Sequence, residues 1–117
     1  MIADRAADLG RLVGQSDEYQ ALKRANDRLM EDQALRTSLE RLRALQLQVA
    51  EQLDKGVEPT IEQQQEIDRL VGTVQAHSAY QSVVAAQSAF DKLMMKVNEW
   101  ILDGIKQGSA SRIITLG

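Results

Sequence analysis

The residues of this sequence that could carry out chemistry are few and scattered. Among 117 residues there is one histidine, His77, and no cysteine. Carboxylates occur at helical spacing at Asp27 and Glu31 and again at Glu62 and Glu66. A di-metal site in a helical bundle also needs a Glu-x-x-His motif, which is absent, and the dispersed glycines form no phosphate-binding loop. We therefore predict no catalytic residue, metal ligand or cofactor, and we do not expect an enzyme.

The composition favours helices throughout. Hydrophobic residues make up 44% of the chain, yet aromatic residues make up only 3%, and there is a single proline. Alanine, leucine, glutamine, glutamate and arginine are abundant, and all of them have high helix propensity. We predict an all-α fold, a helical bundle of about five helices with long third and C-terminal helices.

Charge and hydropathy limit the classes of partner and compartment. The net charge of −3 provides no electrostatic footprint for a nucleic-acid backbone, so no direct nucleic-acid binding is expected. The first ten residues carry charges where a signal peptide needs an apolar core. No apolar run approaches the roughly 20 residues that span a bilayer. With no cysteine, the chain fits a cytoplasmic protein without a membrane segment.

Local signals divide the chain into five helices. Ser16 and Asp32 are candidate N-caps, although the break at Asp32 could equally be absent and leave one bent helix. Capping boxes are predicted at Thr60–Gln63 and Ser78–Gln81, and Gly56 is a natural residue just beyond a helix end. The predicted helices are Ile2–Val13, about Asp17–Met30, about Gln33–Lys55, from Thr60 to about Gln75, and a long helix around Tyr80–Ile105.

Apolar residues at helical spacing predict the buried face of each of the first four helices. These faces are Ile2, Ala6, Leu9 and Val13; Tyr19, Leu22, Ala25 and Leu29; Leu35, Leu39, Leu42, Leu45, Val49 and Leu53; and Ile61, Ile67, Leu70, Val71 and Val74.

The last helix carries a wider apolar surface than one helix can keep in water. Its main stripe is Val83, Phe90, Met94, Val97, Ile101 and Ile105, flanked by Leu93 and Trp100 on one side and by Val84 and Leu102 on the other. The surface must be covered by the rest of the chain, by a second copy, or by both. We predict an assembly face with the residues Phe90, Met94, Val97, Asn98, Trp100, Ile101 and Ile105. Asn98 is read either as an exposed border residue or as a buried amide that pins a neighbouring helix.

The character of the sequence changes after residue 107. We predict one helical domain over residues 1–107 and a C-terminal tail over residues 108–117. Ser109–Ser111 resembles a linker, and 112–116 is a short β-branched apolar run. Such a tail is either disordered, packed on its own domain, or an extended segment that adds to a partner.

The order of these features resembles the YlbF/YmcA family of small all-helical bacterial proteins. The matching elements are Ala7–Gly10, Ser16–Tyr19, a charged leucine-rich third helix, the turn at Pro59, and the Phe90-x-x-Leu-Met to Val-Asn98 segment. The likeness spans residue 3 to about residue 107. It implies a helical bundle with a long C-terminal helix, a homodimer or higher oligomer, and no catalytic site.

The resemblance also implies a regulatory role. The best-known members act with a third protein on competence, sporulation and biofilm formation, and are linked to mRNA processing by a membrane-anchored endoribonuclease. Some members of that complex are associated with iron–sulfur clusters. Because this chain has no cysteine, a thiolate-ligated cluster is not supported, which favours a less characterised paralogue.

The leading hypothesis is a non-enzymatic adaptor that self-associates and binds a related helical protein or a ribonuclease complex. The alternatives are an RNA-associated factor and a purely structural or chaperone-like helical oligomer.

Overall fold

The chain folds into five α-helices, and the all-α prediction is confirmed. The computed structural model describes the backbone of residues 1–116 and the side chains of residues 1–110. In chain order the helices are α1 (Ile2–Gly14), α2 (Asp17–Glu31), α3 (Gln33–Asp54), α4 (Ile61–Ala76) and α5 (Ser78–Leu116). No β-strand occurs among the described residues.

Three of the predicted helix starts are confirmed by side-chain caps. Ser16 Oγ accepts a hydrogen bond from the Tyr19 N–H at 3.1 Å, and Asp32 Oδ1 accepts one from the Leu35 N–H at 2.9 Å. Thr60 forms a complete capping box with Gln63, since each side chain bonds to the other residue's backbone N–H. Each cap satisfies an N–H group that has no partner within its helix.

The second predicted capping box, Ser78–Gln81, is wrong. Ser78 is already helical, and the cap is His77, whose Nδ1 accepts from the Ala79 N–H at 3.1 Å and whose carbonyl accepts from the Gln81 N–H at 3.0 Å. The Gln81 side chain instead donates to the Gln75 carbonyl at 3.1 Å. The helix therefore starts one residue earlier than predicted, and His77 is the single residue between α4 and α5.

The predicted helix end at Gly56 is confirmed. Gly56 adopts φ +76°, the left-handed conformation that glycine reaches without a steric penalty. Its N–H donates to the Leu53 carbonyl at 3.0 Å, and the Val57 N–H donates to the Gln52 carbonyl at 2.8 Å. This pair of bonds is the Schellman arrangement that ends a helix and redirects the chain.

The helices form one long, bent antiparallel hairpin. α3 packs along α4 next to the turn, and α2 packs along α5 farther away. Cross-arm pairs at Arg41 and Glu66, Asp32 and His77, and Tyr19 and Phe90 show the antiparallel order. The hairpin is elongated, with extents of 70 × 36 × 21 Å. Its smallest dimension corresponds to about two layers of helices.

The core is small and is centred where the two halves of the hairpin meet. Leu35, Val74 and Ala79 form a buried cluster, with Leu29 and Tyr80 packed against it. Several predictions of burial are wrong, because Leu53, Ile61 and Tyr19 are exposed, as are Ile2 and Ala6 on α1. Leu53 and Ile61 lie at the turn end of the hairpin, where α3 ends and α4 begins.

The described part of α5 continues through the predicted linker. Residues 108–110 are helical, so no break follows Gly108. The side chains of the apolar run at 112–116 lie outside the described residues, and its predicted role as a partner-binding tail remains a prediction.

Candidate interaction surface

An apolar groove runs between α1 and the C-terminal part of α5. One section, about 280 Å³, is lined by residues of both helices, including Phe90 and Val97 of α5. The other section, about 450 Å³, is lined by Met1, Ile2, Arg5, Ala6, Leu9 and Ile101. Ala6, Leu9 and Ile101 belong to both sections, so the groove is continuous.

The structure brings five of the seven predicted interface residues to this groove. They are Phe90, Met94, Val97, Asn98 and Ile101. Val97 is only 5% exposed and so packs within the chain. Phe90 is half-buried and stacks edge-to-face on Tyr19, with ring centroids 5.7 Å apart. Asn98 is exposed, as expected for a border residue.

The other two predicted residues lie away from the groove. Trp100 and Ile105 are exposed side chains of α5 and do not line the groove. Together with Ile101 and Leu102, they make this part of α5 apolar on several sides.

Sequence reasoning missed the opposite wall of the groove, which α1 supplies. Helical spacing predicts that Ile2, Ala6, Leu9 and Val13 form a buried face of α1, but it does not indicate which helix lies opposite. α1, all of whose side chains are described, buries none of them. The available signal was the pair of glycines at positions 10 and 14, which marks α1 as a separate helix that needs support from outside itself.

The groove can bind apolar side chains but offers no group for catalysis. Arg5 is the only titratable side chain among its lining residues. Within residues 1–110, no cluster of three or more histidine, cysteine, aspartate or glutamate residues is arranged to hold a metal ion. The groove is thus lined mainly by apolar side chains.

The groups with shifted pKa values lie elsewhere and serve structure. Arg41 on α3 bonds to both carboxylate oxygens of Glu66 on α4, at 2.8 and 3.2 Å. These bonds lower the pKa of Glu66 and raise that of Arg41. The Leu35 N–H, with a smaller contribution from His77, lowers the pKa of Asp32 despite partial desolvation.

The lowered pKa of Asp32 predicts a loss of stability in acid. The folded chain holds this proton less tightly than the unfolded chain, so the stabilisation is complete above the unfolded pKa and disappears as pH falls through the folded pKa. Urea unfolding between about pH 6 and about pH 2 should show a steeper loss for wild type than for Asp32→Asn, which keeps a capping side chain.

Asp27→Asn is the control for this measurement, since Asp27 is exposed and the substitution removes one negative charge away from Asp32. Identical pH profiles for wild type and Asp32→Asn would contradict the assignment.

Comparison with known proteins identifies the family. The profile of the family described as "Control of competence regulator ComK, YlbF/YmcA" matches residues 2–106, almost the whole chain. The chain belongs to the YlbF/YmcA family. The resemblance predicted from the sequence is thereby confirmed.

Relatives within the YlbF/YmcA family match over nearly their full length. A UPF0342 protein of Alkalihalophilus pseudofirmus is 24% identical over 106 residues, covering 91% of this chain and 90% of the relative. A UPF0342 protein of Bacillus velezensis is 26% identical over 104 residues, covering 89% and 90%. One from Oceanobacillus iheyensis is 26% identical over 98 residues, covering 84% of each.

The description of the YlbF/YmcA family names regulation and no reaction. The family is regulatory by its description and is not a known enzyme family. Within the described residues, no helix is both long and apolar enough to cross a bilayer.

Proposed function

We propose that this chain is a non-enzymatic regulatory or adaptor protein that acts by self-association and by binding protein partners. The processes concerned are those implied by its family: competence, sporulation, biofilm formation or mRNA processing. The observation that carries the proposal is the uncovered apolar surface of α1 and the C-terminal part of α5.

The dimensions of the chain support a large contact area. A compact protein of 13.0 kDa exposes about 6,300 Å², whereas this chain exposes 9184 Å². Its radius of gyration is 21.8 Å, against about 13 Å for a compact domain of this length. A standard interface takes roughly 800 Å² from each partner. The excess of accessible surface over a compact protein is enough for one interface with a second copy and another with a different protein.

The state of α1 favours a second copy as one of the partners. A helix of 13 residues is marginal in water without tertiary packing, and α1, whose side chains are all described, buries none. The groove beside it is almost wholly apolar, which is typical of obligate interfaces between copies and not of transient contacts. A second α1–α5 end placed against the first would cover both.

The test is the mass in solution. Sedimentation equilibrium should give a multiple of 13.0 kDa for wild type. Ile101 and Ile105 are 45% and 61% exposed, so the double variant Ile101→Asp/Ile105→Asp should fold but associate at least about 100-fold more weakly. Leu47→Asp, at a 59% exposed position on α3, is the matched control and should leave the mass unchanged. A double variant with wild-type mass would refute self-association through this end.

The regulatory part has a separate test in the native host. Transcript profiles of a strain that lacks the gene should change, and wild type should restore them while Ile101→Asp/Ile105→Asp should not. If Ile101→Asp/Ile105→Asp were a monomer in solution and still restored the transcript profiles fully, regulation would not depend on self-association.

A further inference from the structure

The two arms of the hairpin bend at the same level, at Asp32 and His77. Asp32 is the only residue between α2 and α3, and His77 is the only residue between α4 and α5. Both have extended backbone, with φ −81° and ψ 104° at Asp32 and φ −77° and ψ 129° at His77. His77 Nε2 lies 3.0 Å from Asp32 Oδ2. The arms are therefore joined at the point where each changes direction.

The hydrogen bonds of the His77 ring determine which ring nitrogen carries the hydrogen when the ring is neutral. Because the Ala79 N–H donates to Nδ1 at 3.1 Å, Nδ1 carries no hydrogen. Nε2 then carries the hydrogen of the neutral ring and donates it to Asp32 Oδ2. Asp32 Oδ1 accepts from the Leu35 N–H at 2.9 Å. Each side chain thus caps one helix, α3 or α5, while it bonds to the other side chain.

Few other charges face this pair. α4 has no charged residue over Leu70–Ala76, and α5 has none over Ser78–Phe90. On the α2 and α3 side, the adjacent charged residues are Glu31 and Arg36, and the guanidinium of Arg36 donates to a backbone carbonyl of α2 at 3.1 Å. Tyr80 is the remaining titratable neighbour and packs against the buried cluster below. A change of charge on the imidazole therefore acts mainly on its partner carboxylate and on the start of α5.

We propose that Asp32 and His77 form a protonation-sensitive clasp that holds the bend of the hairpin. Neutral His77 caps α5 and is hydrogen-bonded to Asp32 at the same time. Protonated His77 keeps its hydrogen bond to the Asp32 carboxylate but no longer caps α5.

The physical reason is that Nδ1 cannot carry a proton and at the same time accept a hydrogen bond from the Ala79 N–H. In protonated His77, the Nδ1–H group and the Ala79 backbone N–H would both be donors and would repel each other. The ring would also place a positive charge at the positive end of the α5 dipole. Its attraction to ionised Asp32 increases at the same time. The ring is then expected to turn away from α5, freeing the first turn and loosening the angle between the α2–α5 and α3–α4 halves. Both side chains are partly exposed, so protons can reach them.

NMR of the single histidine tests the clasp. The imidazole nitrogen shifts should report the Nε2–H form at neutral pH. Once acid has protonated His77, the hydrogen-exchange protection factor of the Ala79 amide should fall about fivefold, the factor for one lost cap. His77→Asn can cap α5 and bond to Asp32 but does not titrate, so its Ala79 protection should stay constant. An Nδ1–H form at neutral pH, or Ala79 protection that ignores protonation, would overturn the proposal.

The bend itself can be followed with spin labels, because the chain contains no cysteine. Labels at exposed Gln65 and Ser88 span the bend, whereas labels at Ser88 and Lys96 lie within α5. Acidification should broaden the first distance distribution in wild type but not in His77→Asn, and it should leave the second unchanged. If acidification left the distance distribution between Gln65 and Ser88 unchanged, the proposed loosening of the bend would be wrong.

Discussion

Leu35→Ala should lower the free energy of unfolding by about 2–5 kcal/mol. Leu35 is 2% exposed and belongs to the buried cluster with Val74 and Ala79. This cluster lies where the two halves of the hairpin meet, so neighbouring side chains cannot collapse into the cavity without shifting a helix. In a chain with so small a core, the change removes a large part of the total stability.

Leu47→Ala is the matched control for this prediction. It makes the same chemical change on the same helix at a position 59% exposed, so its effect should lie within about 0.5 kcal/mol of zero. Both variants should be unfolded in urea at one fixed chain concentration, since association contributes to apparent stability. Equal losses would mean that α3 does not present Leu35 to the core.

Val97→Asp should unfold the chain rather than only dissociate it. Val97 lies on the predicted assembly face but is 5% exposed within one chain, beside the groove between α1 and α5. An aspartate there buries a charge without a partner, which costs about 3–5 kcal/mol. Circular dichroism should show loss of helix at neutral pH, with partial recovery in acid as the new carboxyl becomes neutral.

Met95→Asp is the control for that prediction. It lies two residues away on the same helix, is 62% exposed and does not line the groove, so the helical signal should persist. If Val97→Asp gave a folded single chain, Val97 would be an interface residue and the intrachain packing of α5 would be wrong. Val97 therefore separates the two explanations that the sequence left open for the apolar face of α5.

The starts of α2, α3 and α4 could be predicted because capping is a local interaction. The side chains of Ser16, Asp32 and Thr60 reach backbone N–H groups only three residues away, so sequence spacing contains almost all the required information. The start of α5 could not be predicted in this way. Two adjacent residues competed for that position, and His77 holds it with a ring oriented by Asp32, 45 residues earlier in the chain.

The faces of the helices were also predictable, but the extent of their burial was not. Apolar spacing correctly placed Leu35, Leu45 and Leu70 inside. The same spacing placed Leu53 and Ile61 inside, although both are exposed, because a side chain is buried only where another segment packs against its face. Periodicity gives the direction of a side chain from its own helix. It carries no information on what lies opposite.

The helical class and most of the helix ends could be predicted from the sequence, because each depends on composition or on interactions within a few residues. The tertiary structure was needed to show that the chain is an extended hairpin and that α1 forms the second wall of the α5 groove. It also decided that His77 and Asp32 meet at the bend. These features depend on the packing of segments distant in sequence, where the relative length and position of the helices, and not their local propensities, set the contacts.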